Sequence, residues 1–284
     1  MESKEELVKK WDTFLSKIEE RFDLIIDQSK EGTQMLIDQI TYDSVSIINA
    51  WNGVQSQLLS LMRKTDDTWA NKMEQSFEAI DYAKYEDEDE NYDENENYDE
   101  YEDDATDKER MEQYNKYHDL NHKMLTKYKF ESNRAFANAA RKIQENVMAH
   151  IDLNKIHNCK QCGDIMDITI YSFMAKNVKC RSCGTVNSYE PDDRILAIEH
   201  NCVIHLANEH VIDLTIKEAN LEHELLKLDR WVTDEKTKMD QIQNDLNKNK
   251  VEYINKYYDF IVELVPDKEA FYNRKRVHRL EQIK

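Results

Sequence analysis

Glycine and proline are nearly missing from this sequence, whose 284 residues include only four glycines and two prolines. Glycine takes positive φ at little steric cost, so tight turns and phosphate-cradling loops consume it. Two of the four, Gly163 and Gly184, directly follow cysteines, which leaves Gly32 and Gly53 for the rest of the chain. No P-loop, dinucleotide fingerprint or nucleophile elbow is present, and glycine is too scarce to build them. Long helices are the expected structure. Also absent is any apolar run near the ~18 residues that cross a bilayer. The opening Met-Glu-Ser-Lys-Glu-Glu lacks the basic and apolar regions of a secretory signal. The five cysteines are read as thiols in a reducing compartment, with cytoplasm as the expected location.

Charge is abundant but uneven. The net value is −19, with 34% charged and 40% hydrophobic residues, a balance that suits narrow apolar stripes on helices better than a thick core. Residues 85–107 hold fourteen acidic side chains and no basic one, so the remainder carries only −5. Within this stretch Glu90–Asn95 and Glu96–Tyr101 form a short tyrosine-bearing repeat. Such a run buries too little apolar surface to offset the entropy of ordering, and a disordered acidic linker is expected. A peptide docking on a basic surface is the sharper alternative. Residues 108–158 carry +4 and residues 266–284 carry +3.

Helical periodicity runs through the rest. Leu7, Trp11, Phe14, Ile18, Phe22 and Ile25 approximate a heptad seam, preceded by a capping-box pattern at Ser3 and Glu6. The stripe resumes from Leu36 to Ile80, and Gly32 could divide residues 1–84 or only bend them. A second capping pattern, Thr106 with Glu109, opens a long helix over 108–158. After Pro191-Asp192-Asp193, apolar residues return at helical spacing from Ile195 to Val265, with Asn244–Lys250 as a candidate break. Pro266 suits the first turn of a short basic helix over 266–284, because proline has no amide to lose there.

The strongest chemical signal is Cys159-Lys-Gln-Cys162-Gly163 followed, after seventeen residues, by Cys180-Arg-Ser-Cys183-Gly184. Two residues between cysteines let one tight turn bring both sulfurs to a single metal, and this pair-to-pair spacing is that of four-thiolate zinc sites. The glycine after each pair permits the left-handed turn that aims amide hydrogens at thiolates. Ile165–Phe173 is β-branched and aromatic and reads as a strand. Residues 159–190 resemble the zinc-ribbon, rubredoxin-like module. The resemblance implies one structural Zn2+ held by Cys159, Cys162, Cys180 and Cys183, with no open position to activate water. It leaves the role open, since such modules bind nucleic acid, dock proteins or staple a fold.

Elsewhere the chemistry is thin, and no catalytic residues are assigned. His200, His205 and His210 are five apart, so they fan around a helix instead of sharing a face. Cys202 reads as a small buried apolar residue, and Trp11, Trp51, Trp69 and Trp231 as packing anchors.

The expected architecture is mainly α: a coiled-coil-like antiparallel helical hairpin with the ribbon inserted between its arms, residues 108–158 and 191–265. The segment 1–84 would be bundled against it through the linker 85–107. The expected function is a non-catalytic adaptor, assembly factor or scaffold for protein partners. The N-terminal seam could equally pair two copies of the chain. The competing class is a nucleic-acid-binding regulator, in which Lys160, Lys176, Lys179 and Arg181 act with the basic helix or with Arg274–Arg279. The acidic linker would then be an intramolecular competitor.

Overall fold

The computed structural model describes residues 3–89, 105–150, 156–166, 168, 175–190, 193–228 and 233–283. The chain is mainly α, as glycine scarcity requires. Helix α1 spans Lys4–Gln39 and α2 spans Val45–Thr68; a π-helical turn, Trp69–Met73, then leads into α3, Glu74–Asp89. Helix α4 covers Ala105–His150. Two small hairpins follow, β1 (His157–Asn158) with β2 (Ile165–Met166) and β3 (Lys176–Lys179) with β4 (Val186–Tyr189). The remaining helices are α5 (Asp193–Asn201), α6 (Val203–His210), α7 (Ile212–Leu226), α8 (Thr233–Leu264) and, after a 3-10 turn at Pro266–Lys268, α9 (Glu269–Glu281). The chain divides into two compact units, Met1–Ser29 with Trp51–Tyr128 and Lys30–Ala50 with Lys129–Lys284.

In the first unit, α1 buries Leu7, Trp11, Leu15, Ile18, Phe22 and Ile26. The steps are four, four and three, then repeat: eleven residues in three turns. At 3.67 residues per turn this stripe stays on one face of a helix with little drift, whereas a heptad seam drifts about 20° per repeat. The heptad expectation therefore misplaced two positions. Phe14 and Ile25 flank the stripe half-buried, and Leu15 and Ile26 take their places in it. Helix α4 has the same period in Gln113, Tyr117, Asn121, Met124 and Tyr128.

The two helices run parallel. Trp11 Nε1 donates to the Gln113 carbonyl oxygen at 3.2 Å, and Lys4 pairs with Glu109, Asp12 with Lys116, Glu19 with Lys123 and Asp23 with Lys127. Helix α2 and its continuation run antiparallel to α4, since Tyr128 Oη donates to the Trp51 carbonyl, Thr65 Oγ1 to Asn121 Oδ1, and Trp69 stacks on Tyr117. Burying one such ring removes about 150–250 Å² from water, worth roughly 4–6 kcal/mol at ~25 cal/mol per Å².

The π turn has a packing reason. Leu61, Thr65, Trp69, Met73 and Phe77 are buried at steps of four, and each step of four rotates an α-helical stripe by about 40°. One wider turn, in which the Glu74 amide donates to the Trp69 carbonyl, brings the last rings back to the core. The chain breaks at 40–44, while Gly32 lies inside α1. The next helix starts where Asp43 Oδ1 accepts from the Val45 amide and the Ser44 carbonyl accepts from Ile47 and Ile48. At the N-terminus Ser3 Oγ accepts from the Glu6 amide, the serine half of the expected capping box.

In the second unit, α4 presents Ala135, Ala139, Ala140, Ile143 and Val147 to the core. Small side chains let α5 and α6 approach closely. Phe136 meets the ring of His205, and Cys202 Sγ donates to the Ala140 carbonyl at 3.3 Å, so the helices preceding and following the hairpins run antiparallel, as expected. The stretch 191–265 is more divided than its periodicity indicates, with breaks at Cys202 and Val211 and again between α7 and α8. The polar stretch at 244–250 does not break α8. Asn249 is buried there, and its amide nitrogen donates to the Leu214 carbonyl across the antiparallel α7–α8 pair. Pro266 opens the final turn as expected, and α9 packs on α8 through Tyr272 with Tyr258 and Arg276 with Asp259. Residues 85–89 and 105–107, expected in the linker, belong to α3 and α4, and His157–Asn158, expected to end the long helix, pair in β1 instead. The rest of the acidic linker, most of the expected strand 165–173, the expected helix start at Pro191 and Asp192, and Trp231 lie outside the described residues.

Candidate metal centre

Local sequence builds the two cysteine turns in the same way. The Cys159 amide donates to the Asp164 carbonyl at 2.8 Å and the Gly163 amide to the Cys159 carbonyl at 2.9 Å. Twenty-one positions later, the Cys180 amide donates to the Thr185 carbonyl at 2.9 Å and the Gly184 amide to the Cys180 carbonyl at 3.0 Å. Gly163 and Gly184 both have φ of 75°, and among the described residues only these two have positive φ. A side chain at either position would be strained, which accounts for half of the chain's glycine. Each turn closes a short antiparallel hairpin. His157 pairs with Met166 in the first, and Lys176 through Lys179 pair with Tyr189 through Val186 in the second.

The four sulfurs converge. All lie within 4.8 Å of one another, with Cys159 to Cys183 and Cys162 to Cys180 each at 3.6 Å. Disulfide sulfurs sit at about 2.05 Å, so these are four separate thiols arranged as one ligand set. Among the described residues this cluster alone has the geometry to hold a metal ion. Cys159 and Cys180 face inward with Met166 beneath them and Ile168 and Val178 alongside, while Cys162 and Cys183 face solvent.

Crowding splits the thiol acidities. Hydrogen bonds from the Cys162 amide and the Asn187 side chain lower Cys159 to about 6. Cys162 is pulled down by the Asp164 amide, yet the adjacent thiols and burial raise it to about 12. The Thr185 hydroxyl and amide lower Cys183. Four thiolates at this range cannot all ionise unaided, because each negative charge opposes the next. A bound cation removes that conflict, and soft sulfur donors suit a thiophilic metal.

One residue central to this site has no signature in the cysteine spacing. Asn187 is buried on β4, where its Oδ1 accepts from the Lys160 amide at 2.9 Å. Its Nδ2 lies 3.4 Å from Cys159 Sγ and 3.2 Å from the Thr185 carbonyl. It thereby ties the first cysteine turn to the second hairpin. The available signal was the inward phase of Val186–Tyr189, in which a polar residue occupies a buried strand position. Ser182 Oγ donating to Asp164 Oδ2 makes a second tie between the turns.

The other candidates are dispersed. His205 packs on Phe136, where burial lowers its pKa; His210 stacks on Phe260, and His200 is exposed. Cys202 is fully buried with its pKa raised to about 12 by desolvation, consistent with an apolar role. Trp11, Trp51 and Trp69 are core anchors. Of the basic residues grouped as a nucleic-acid surface, Lys176 pairs with Asp267 at 2.7 Å and Arg276 with Asp259. Lys116, Lys123 and Lys127 are engaged by acids of α1, and the N-terminal stripe is buried within its own unit.

No family model matches the chain, and no curated protein or solved structure matches it. No described helix is long and apolar enough to cross a membrane.

Proposed function

We propose that this protein is a non-catalytic adaptor or scaffold whose recognition head is a zinc ribbon. The observation that carries the reading is the four-sulfur cluster. Thiolates at ~2.3 Å from a tetrahedral zinc stand about 3.8 Å apart, close to the 3.6 Å separations in this chain. Four protein ligands complete the coordination shell, so zinc here is a staple and not a catalyst. The staple displays a surface that a soluble domain gains nothing by exposing. Ile156, Ile165 and Val186 on the hairpins are 65%, 69% and 60% exposed, which suits docking onto a protein.

The test has two parts. The purified chain is expected to contain one zinc by elemental analysis, and a Cys180→Ser, Cys183→Ser variant is expected to lose it. A tagged chain recovered from its native cells should retain the same proteins after nuclease treatment and lose them in the double variant. Zinc retained in that variant would overturn the site. Recovery that collapses on nuclease treatment would replace the adaptor by a nucleic-acid-binding regulator.

A further inference from the structure

Helix α1 turns three of its acids to one side and carries lysines and an arginine on the other, where Glu6 also lies beside Lys10, Phe14 and Lys17. Its acids Asp12, Glu19 and Asp23 face α4 and meet lysines there. Its opposite flank carries Lys10, Phe14, Lys17, Arg21 and Ile25, at steps of four, three, four and four. Across from that flank, α2 and the π turn supply Leu61, Lys64, Met73 and Lys72. A groove runs between the two sides within the first unit. One cavity of about 590 Å³ is lined by Leu7, Trp11, Phe14 and Met73, with Lys10 and Lys72 at its edge. A second, of about 500 Å³, lies between Arg21 and Ile25 on one side and Leu61 and Lys64 on the other.

The floor of this groove is apolar and aromatic. Phe14 is half-buried, stacks on Trp11 at 5.3 Å, and lies 5.8 Å beneath the ammonium of Lys64. The rims are basic. Lys17, Arg21, Arg63, Lys64 and Lys72 are all exposed, and none has a carboxylate partner among the described residues. The one lining acid of the second cavity is Asp67. Lys116, Lys123 and Lys127 of α4 are matched by acids of α1, whereas these cations of α1 and α2 face the groove. From Lys10 to Ile25 the flank is about 22 Å long, the length of four helical turns.

We propose that this groove seats an amphipathic helix of a partner protein, with apolar side chains at i, i+3 or i+4, and i+7 and with Glu or Asp along both edges. Charge complementarity selects the occupant. An apolar stripe fills the floor over Leu7, Phe14 and Ile25, and carboxylates on either side meet Lys17 and Arg21 on one rim and Lys64 and Lys72 on the other. A bare polyanion would satisfy the rims and leave the floor in water. A basic helix would be repelled. This site is separate from the cysteine centre and does not depend on zinc.

The test uses the full chain and a fluorescent sixteen-residue peptide with that pattern, beside a twin in which every Glu and Asp is replaced by Lys. The acidic peptide is expected to bind and its twin not to bind. A Lys17→Glu, Arg21→Glu, Lys64→Glu variant is expected to weaken binding at least tenfold while keeping its helical circular dichroism. The Cys180→Ser, Cys183→Ser variant should bind as the natural chain does. Equal affinity in the charge-reversed chain would overturn the proposal. So would displacement of the peptide by single-stranded or duplex oligonucleotides at low salt, which would make the groove a phosphate site. A third overturning result is binding only when the carboxylates of residues 86–104 are replaced by amides, because the chain's own acidic segment would then be the occupant.

Discussion

The cysteine hairpins and the three-helix seam of the first unit are held by different physics. The seam encloses Trp11, Phe22, Trp51, Leu58 and Phe77 almost completely, and its order follows from area removed from water. The hairpins bury little beyond Met166, Tyr189 and the inner cysteines, with Asn187 as a polar member of the same interior. Strands of two and four residues cannot enclose a core. What they have instead is four sulfurs at one point. Apolar burial is distributed, so a helical seam loses stability in increments. A chelate centre is concentrated, so the hairpins gain or lose order as a unit.

The sharpest way to break this comparison is to take away the cysteine cluster's capacity to hold a metal. In the Cys180→Ser, Cys183→Ser variant, or in the natural chain with a strong chelator, amides of 157–166 and 176–189 are expected to lose hydrogen-exchange protection. Helix α1 and α2 of the first unit should retain theirs. Loss of protection throughout would mean that the seam depends on the hairpins.

The reverse perturbation is Trp51→Ala, at a position with no solvent exposure. It is expected to cost about 3–5 kcal/mol in urea unfolding while any metal held by the cysteines is retained. A cost below ~1 kcal/mol would show that the seam can collapse around the void.

Asn187→Ala sharpens the comparison within the hairpins, because it keeps all four sulfurs and deletes the tie between turns. Metal affinity is expected to fall about 10- to 100-fold by competitive chelation, with urea unfolding of the helices unaltered. The smallest expected effect is at the charge ladder. Asp12→Asn removes the partner of an exposed Lys116 and should cost under about 1 kcal/mol, an effect that shrinks further in high salt.

Legibility followed the range of the interaction. The cysteine turns could be read because each depends on residues within about five positions of one another, down to the glycine that closes each turn. The stripe on α1 was readable as a helix but not in its phase. Phe14 and Leu15 are both apolar neighbours, and only the partners on α2 and α4 decide which of them faces inward. Gly32 offered a break and Asn244–Lys250 another, yet the breaks fall elsewhere. Asp43 and Ser44 cap a new helix at the first site, and Asn249 finds the Leu214 carbonyl inside α8. A polar residue interrupts a helix only when its hydrogen bonds are satisfied better outside it.

By itself the sequence determined the helical class and the cluster of four thiols with its two left-handed glycines. These follow from backbone sterics and from local spacing. Only the tertiary structure decided that α1 and α4 run parallel with an eleven-residue period, that Asn187 joins the two cysteine turns, and that Asp12, Glu19 and Asp23 meet α4 while Lys17 and Arg21 border a groove. Each of those depends on which distant side chains meet, and a one-dimensional pattern carries helix phase without carrying the partner.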